Sequence, residues 1–527
     1  MRLQLLKRDG HEKIKKIRVV VSLAFVSMFL FAFLSPLRPN EYFTHTIIAL
    51  QFYPSLLEFS TSFLMGGGSG FMLIMLLTFF YGRVYCSTLC PLGGLQDGII
   101  RCRVQGAGGK RKHVAFKYTK SMDWLLYPIT IIVLVLLAFG IPSALNLFEP
   151  YSNFGRMTVN LLKPALVYVN NTLEYILATF DITVFKPSSV QYISPGVLGF
   201  CAGFLGLIVI LSLYKGRLYC NTLCPVGGVL SLISRFSRNR LVISADKCTS
   251  CSLCEGACKA GCIDYKAGKI DFERCISCFN CVDSCKFGAI TYQKFPLFKK
   301  PGYSAAQRGA IGGMLKAGAA LALMTAGAEK LYAQINSVLL PVKRQNTILP
   351  PGAISFEHFS KRCTGCNLCV TSCPTKVIAP SFAEAGAKSL MQVRMDYDTA
   401  YCNYNCNICS RVCPCGAMVA LSVTQKKLTQ IGTAKFVKNE CVVVKKGTVC
   451  ATCNEHCPTK AVKMVPYKKD LNIPEVNEKT CIGCGACEHV CPARPKAIYV
   501  APKDVQTKAD KPVELKRKII EFKEFPF

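Results

Sequence analysis

Residues 248–285 read CTSCSLCEGACKAGCIDYKAGKIDFERCISCFNCVDSC. Cys248, Cys251, Cys254 and Cys258 form a C-x2-C-x2-C-x3-C run, and Cys275, Cys278, Cys281 and Cys285 repeat it. This is the ligand spacing of paired [4Fe–4S] cubanes, in which three cysteines serve one cluster and the fourth serves its neighbour. A tight loop presents three thiolates to three irons, and the helix after the partner loop supplies the last. The expected sets are Cys248, Cys251, Cys254 with Cys285, and Cys275, Cys278, Cys281 with Cys258. Lys259 stands where a proline usually follows the fourth cysteine, and Cys262 is near enough to substitute as a ligand.

The pattern continues downstream. Four further runs are Cys363, Cys366, Cys369, Cys373; Cys402, Cys406, Cys409, Cys413; Cys441, Cys450, Cys453, Cys457; and Cys481, Cys484, Cys487, Cys491, each followed by proline. The second opens with C-x3-C and the third with C-x8-C. At four thiols per cluster the 24 motif cysteines predict six [4Fe–4S] clusters. Adjacent and nested exchange of fourth ligands both satisfy the count in the C-terminal half. Zinc sites use separated cysteine pairs and have no need of a third cysteine at x2 or a fourth before proline. Triplets this tight cannot all pair locally as disulfides without strain. Cys102, Cys201, Cys262 and Cys415 are left as free thiols.

Outward from the cysteine runs the chain changes character. Its 527 residues are 51% hydrophobic, which excludes a wholly soluble or disordered protein. Apolar stretches at 18–35, 61–81, 123–143 and 196–214 each approach the ~20 residues a helix needs to cross hydrocarbon. A weaker fifth, 309–328, is rich in Gly and Ala and contains Lys316. Met1–Arg18 and the loop 101–120 carry seven Lys/Arg each, against one in 36–60 and three in 144–195. By the positive-inside rule the N-terminus is cytoplasmic. The first span is expected to be a retained anchor, and Trp124 and Tyr127 to sit at the headgroup level. The net charge of +33 is spread beside spans and between cysteine runs, a pattern of topology and docking with no nucleic-acid partner.

The segment GRVYCSTLCPLGG (82–94) recurs as GRLYCNTLCPVGG (216–228). Spans one–two and three–four therefore read as two copies of the same orientation, related by an axis along the membrane normal. The pseudo-symmetry predicts that Cys86, Cys90, Cys220 and Cys224 converge, either as a seventh iron–sulfur centre, as redox dithiols, or as small packed residues at a helix cap. No C-x-x-C-H, no histidine within a span and no G-x-G-x-x-G strand–helix unit is present, so haem and nicotinamide are not expected.

The expected fold is a membrane α-helical bundle of four spans with a fifth, plus α+β bacterial-ferredoxin-like [4Fe–4S] domains. Its units are 1–239 (bundle with the two C-x3-C-P repeats), 240–300 (cytoplasmic two-cluster ferredoxin), 301–330 (fifth span or leader) and 331–527 (four-cluster, periplasmic). Residues 1–300, with two C-x3-C-P motifs ahead of a two-cluster ferredoxin, resemble the NapH family of membrane quinol dehydrogenases. Residues 301–527, an apolar leader before four cysteine runs, resemble the NapG or MauM-type ferredoxins. The resemblance implies a fused unit in a bacterial inner membrane that oxidises quinol and passes electrons to a periplasmic reductase or cytochrome. Glu149, in the loop FEPYSNFGR (148–156), is the candidate proton acceptor, against a solvated loop glutamate as the plainer reading. Competing readings are a redox maturation factor, and a wire subunit whose partner owns the quinone site. With the repeat cysteines at one face and 331–527 beyond the other, ~30 Å of hydrocarbon would divide the two cluster groups. A deeper repeat site, a diffusing quinone, bridging partner subunits, or both groups on one side would each close that gap.

Overall fold

The computed structural model describes residues 2–35, 41–62, 69–105, 116–191, 193–294, 347–382, 390–468 and 470–512. The expected fifth span, the 301–330 unit and much of the basic loop 101–120 lie outside these residues.

Two of the four expected spans form helices long enough to cross a bilayer. Lys13–Leu34, the greater part of the helix Arg2–Leu34, has 22 residues, and Pro195–Lys215 has 21. At ~1.5 Å per residue each covers about 30 Å. The other two are shorter than expected: Ser69–Tyr81 has 13 residues and Asp123–Ala138 has 16. The first of these ends where expected, before Gly82 at φ +78°, and the second stops early, two residues before Gly140 at φ +75°. Among the described residues, two of the four expected spans are thus long enough to cross, beside two shorter apolar helices.

The centre of the bundle is polar. Pro150–Met157, all eight of whose residues are buried, continues through a π-helical turn at Thr158–Leu162 into Lys163–Ala178. Just before it lies the short helix Ser143–Phe148.

The cysteine-rich segments are small α+β units made of short helices and two-stranded antiparallel sheets. In the first, Asn239–Ile243 pairs with Ile290–Lys294, and Ile263–Asp264 with Lys269–Ile270. In the C-terminal region Ile378–Pro380 pairs with Val393–Met395, Thr429–Phe436 with Ile498–Lys508, and Val462–Lys468 with Leu471–Val476.

Both regions pack on the bundle, at opposite ends of its first helix. Lys15 pairs with Asp283 of the first unit, while the Thr371 hydroxyl of the C-terminal region donates to the Phe33 carbonyl at 2.7 Å. Eighteen residues of helix separate those contacts, about 27 Å. One hydrophobic core joins Cys86, Cys90, Cys220 and Cys224 to Ile263, Ile276 and Ile290. A second joins Phe29, Phe33, Tyr151 and Phe154 to Phe359, Leu368, Ile378 and Val500.

Candidate iron–sulfur sites

A common loop geometry builds the simple C-x2-C-x2-C runs. The residue after the second cysteine is left-handed in all four: Ser252, Phe279, Asn367 and Gly485, with φ of 59°, 60°, 64° and 83°. Each caps a helix of four or five residues that carries the third cysteine. Left-handed backbone is costly for a residue with a Cβ, so three of these loops store strain to turn three thiols to one side. At Gly485 a Cβ would lie 2.2 Å from the Tyr397 ring, so glycine is required there. The two runs with longer openings use another turn, with Asn407 and Ala451 at φ of −129° and −130°.

Four of the six expected sets line compact cavities of similar size. Cys248, Cys251, Cys254 and Cys285 line one of about 360 Å³. Cys275, Cys278 and Cys281 with Cys258 line one of about 310 Å³. Cys402, Cys406 and Cys409 with Cys373 line one of about 320 Å³, and Cys481, Cys484 and Cys487 with Cys457 one of about 290 Å³. In the remaining two, Cys413 acts electrostatically on Cys363, Cys366 and Cys369, and Cys491 on Cys441 and Cys453, beside Cys450. The C-terminal runs thus exchange their fourth cysteines between neighbours, first with second and third with fourth. The nested alternative is not what the chain adopts.

Among the described residues no three Cys, His, Asp or Glu side chains converge closely enough to hold a single metal ion. Four thiols around a cavity suit a four-iron cube, with one thiolate per corner, better than one tetrahedral zinc at ~2.3 Å from each sulfur. Burial pushes the Cys254 and Cys278 thiols up to about 11, and Cys453 and Cys484 up to about 12. A thiolate in these pockets needs the positive charge of bound iron.

Two further thiols adjoin these sets. Cys262 Sγ lies 3.5 Å from Cys258 Sγ, and Cys415 Sγ lies 3.8 Å from Cys413 Sγ. Cys262 was visible in the sequence as a substitute ligand. Cys415 was not, although its C-P-C spacing from Cys413 is the signal that would have found it. Cys102 is exposed, and Cys201 accepts from Asn160 Nδ2 at 3.9 Å within the bundle.

The repeat cysteines do converge. Cys86, Cys90, Cys220 and Cys224 are all buried and act electrostatically on one another. Two buried arginines, one from each copy, cross between them: Arg83 Nη2 donates to the Cys220 carbonyl at 2.8 Å, and Arg217 Nη1 to the Cys86 carbonyl at 3.0 Å. The motif glycines make this approach feasible, because a Cβ on Gly93 or Gly227 would lie 2.4 or 2.2 Å from those same carbonyl oxygens. Arg217 pairs with Asp97, whereas Arg83 binds Asn221 Oδ1, the Glu273 and Cys220 carbonyls and Cys86 Sγ. A buried cation held by neutral groups favours a negative centre beside it, which four metal-bound thiolates would supply.

Asp97 links this site to the first cysteine-rich unit. Its carboxylate lies 2.9 Å from Arg217, 3.1 Å from Lys259 and 3.4 Å from Arg18. Burial alone would push its pKa up, but Arg217, Lys259 and Arg18 outweigh that and hold it well below the usual carboxylate range. The Lys259 carbonyl also accepts from Arg217 N at 2.8 Å. The absence of proline after Cys258 is thereby explained, since this position docks the loop. Arg235 grips Glu273 through two bonds of 2.8 and 2.9 Å, and Tyr127 donates to Glu273 at 3.3 Å. Tyr127 thus contacts the first unit.

Glu149 departs from both sequence readings of a loop side chain. It is fully buried and caps the helix Pro150–Met157, accepting from Tyr151 N at 3.0 Å and Ser152 N at 2.5 Å. A carboxylate at a helix N-terminus satisfies otherwise orphaned amides and favours the macrodipole.

Known proteins match the chain in pieces. A 4Fe–4S binding domain matches residues 63–111 and 198–244, so each match holds one copy of the repeat and half of the convergent thiols. A 4Fe–4S dicluster domain matches 362–417 and 448–494, the first neighbour-exchanging pair whole and the second without Cys441. A second dicluster description matches 271–377, joining runs that lie at opposite ends of the bundle. No solved structure matches. The ferredoxin-type protein NapF of Escherichia coli K12 is 25% identical over 150 residues, 28% of this chain and 83% of NapF. The methylamine utilization ferredoxin-type protein MauM of Methylophilus methylotrophus is 30% identical over 178 residues, 31% of this chain and 75% of that protein. MauM of Paracoccus denitrificans is 32% identical over 165 residues, 30% of this chain and 72% of its own length. Through that stretch the chain belongs to the MauM family of ferredoxin-type 4Fe–4S proteins.

Proposed function

We propose that this iron–sulfur electron-transfer protein is anchored in a bacterial inner membrane, N-terminus cytoplasmic, with its C-terminal region periplasmic. Quinol is its electron source and a periplasmic reductase or cytochrome its partner, as the likeness to NapH-type quinol dehydrogenases implies. Six [4Fe–4S] clusters are held by the six cysteine sets, and a seventh centre by Cys86, Cys90, Cys220 and Cys224.

One observation carries this reading: two groups of thiol sets sit on opposite ends of one bundle, with the four repeat thiols buried inside the bundle in the core it shares with the first group. An interior site divides the ~30 Å of hydrocarbon into shorter steps. Each iron–sulfur centre supplies one-electron chemistry with little rearrangement, its potential tuned by hydrogen bonds and solvent exposure. The chain's own residues fix the sites in space. Arg83 and Arg217 lock the two copies together, Asp97 and Glu273 lock the first unit to the bundle, and Thr371 and Asn146 hold the C-terminal region at the other end. Glu149 is the proposed proton acceptor for quinol: burial raises its carboxyl above the ordinary value, against the opposing pull of the Ser152 and Tyr151 amides.

Iron and acid-labile sulfide per chain test the assignment, with about 24 Fe expected for six cubanes and more if the repeat is loaded. Anaerobic protein that bleaches with a quinol analogue supports quinol as donor. Reduction only by a low-potential soluble donor refutes it and leaves the wire.

A further inference from the structure

The two repeat copies are alike in sequence, yet their bonded routes to the far end of the molecule differ in length. Tyr85 and Tyr219 occupy the same motif position, each directly before a repeat cysteine. The Tyr85 hydroxyl donates to Gln51 Oε1 at 3.0 Å, and Gln51 Nε2 turns back to the Leu89 carbonyl of the same copy at 3.1 Å. The Tyr219 hydroxyl instead donates to the Phe148 carbonyl at 2.5 Å. Phe148 ends the helix Ser143–Phe148, and in that helix Asn146 Nδ2 donates to the Cys363 carbonyl at 3.0 Å. Tyr219 and Asn146 are both fully buried.

Resting on the reading of these thiols as cluster sites, we infer that Tyr219, the Phe148 backbone and Asn146 form the electron bridge from the repeat site to the Cys363 set. The path runs from Cys220 through the adjacent Tyr219, across one hydrogen bond to Phe148, along two residues of helix to Asn146, and across a second hydrogen bond to Cys363. Electronic coupling through bonds and short hydrogen bonds exceeds coupling across packed van der Waals gaps. Tyr85 has only a longer route: its hydroxyl also accepts from Phe52 N at 3.3 Å, and from Gln51 the chain of bonds passes through the Ile48 carbonyl and the helix Glu41–Ala49 to His45, which meets the Arg411 carbonyl at 3.0 Å. The step is a one-electron transfer: the repeat site is oxidised by one electron and the Cys363 set is reduced by one, with no bond broken and no proton transferred. Dithionite supplies the electron at the first cysteine-rich unit.

The test uses the full chain in proteoliposomes, with dithionite, an impermeant anion, on the side of the first unit and freeze-quench EPR as the readout. Iron per chain and midpoint potentials are measured first. Tyr219→Phe and Asn146→Leu are expected to keep full iron and unchanged potentials, to reduce the first unit at the parent rate, and to slow reduction of the C-terminal sets severalfold. Tyr85→Phe, which removes the equivalent hydroxyl, is expected to leave both rates unchanged. Parent rates in an iron-replete Tyr219→Phe, or equal slowing by Tyr85→Phe, would overturn the bridge. A chain with no iron beyond six clusters would overturn the repeat site itself and the bridge with it. Tyr219→Phe deletes a single oxygen, so the test survives even if Asn146→Leu folds poorly.

Discussion

Asp97→Asn removes the one carboxylate that Arg18, Arg217 and Lys259 share. All four side chains are nearly inaccessible, at 12% for Asp97 and 5%, 0% and 10% for its partners, so solvent screens them little. Breaking a buried ion pair by removing one partner costs ~3–5 kcal/mol, because the remaining charge stays buried. An asparagine keeps hydrogen bonds to Arg217 and Lys259 but none of the charge, so the lower end, ~3 kcal/mol, is the minimum expected. If bundle and first unit melt together, each kcal/mol moves the melting temperature by about 2–4 °C, giving a drop of roughly 6–20 °C across that range. Hydrogen exchange in the strand Asn239–Ile243, followed in detergent-solubilised holoprotein, reports release of the first unit directly. The pH dependence has a definite sign: a carboxylate depressed in the folded state stabilises fully above ~pH 4 and loses that contribution as pH falls below it. The parent is therefore flat from about pH 5 to 8 and weakens only in acid, while the variant lacks that acid transition. Exchange in Asn239–Ile243 unchanged by Asp97→Asn would refute the view that this carboxylate clamps unit to bundle.

Other outcomes follow from the same geometry. Cys86→Ser or Cys220→Ser should remove about four iron atoms per chain while the six ferredoxin-type EPR signals persist; unchanged iron would make the repeat a packing device. Because Cys254, Cys278, Cys453 and Cys484 are held protonated near neutral pH in the apo sites, loading releases protons and weakens as pH falls. Reconstitution yield flat between about pH 6 and 9 would contradict this. Gly485→Ala forces a Cβ into left-handed backbone against Tyr397, at a cost of at least ~1–3 kcal/mol. It should selectively erase the signal of the Cys481, Cys484, Cys487, Cys457 set.

The cysteine spacing made the ferredoxin-like units and the grouping of their thiols readable, because a tight loop leaves three thiols few arrangements. The exchange between neighbouring C-terminal runs was not readable, since nothing local distinguishes it from nesting. Four spans were expected from apolar composition, which cannot register where a helix stops. The third stops at Ala138, short of its expected end, with Gly140 left-handed just beyond. Glu149 looked solvated because the letters FEPYSNFGR resemble a loop, and the structure folds them into the most deeply buried helix of the bundle. The Arg83 and Arg217 crossing was latent in the repeat, for identical residues at identical offsets must face one another across a pseudo-axis. Asp97 could not have been singled out, as its partners come from residues 18, 217 and 259.

The arginine crossing also bears on how such a chain could have arisen. Each copy's guanidinium grips the other copy's main chain, and each supplies two of four thiols, so one copy alone is an open half-shell. Two identical ancestral subunits meeting about a twofold axis would make the same mutual grip as an isologous interface. Joining them in one polypeptide frees the halves to diverge, and Asp97 of the first copy has Ser231 at the matching offset in the second.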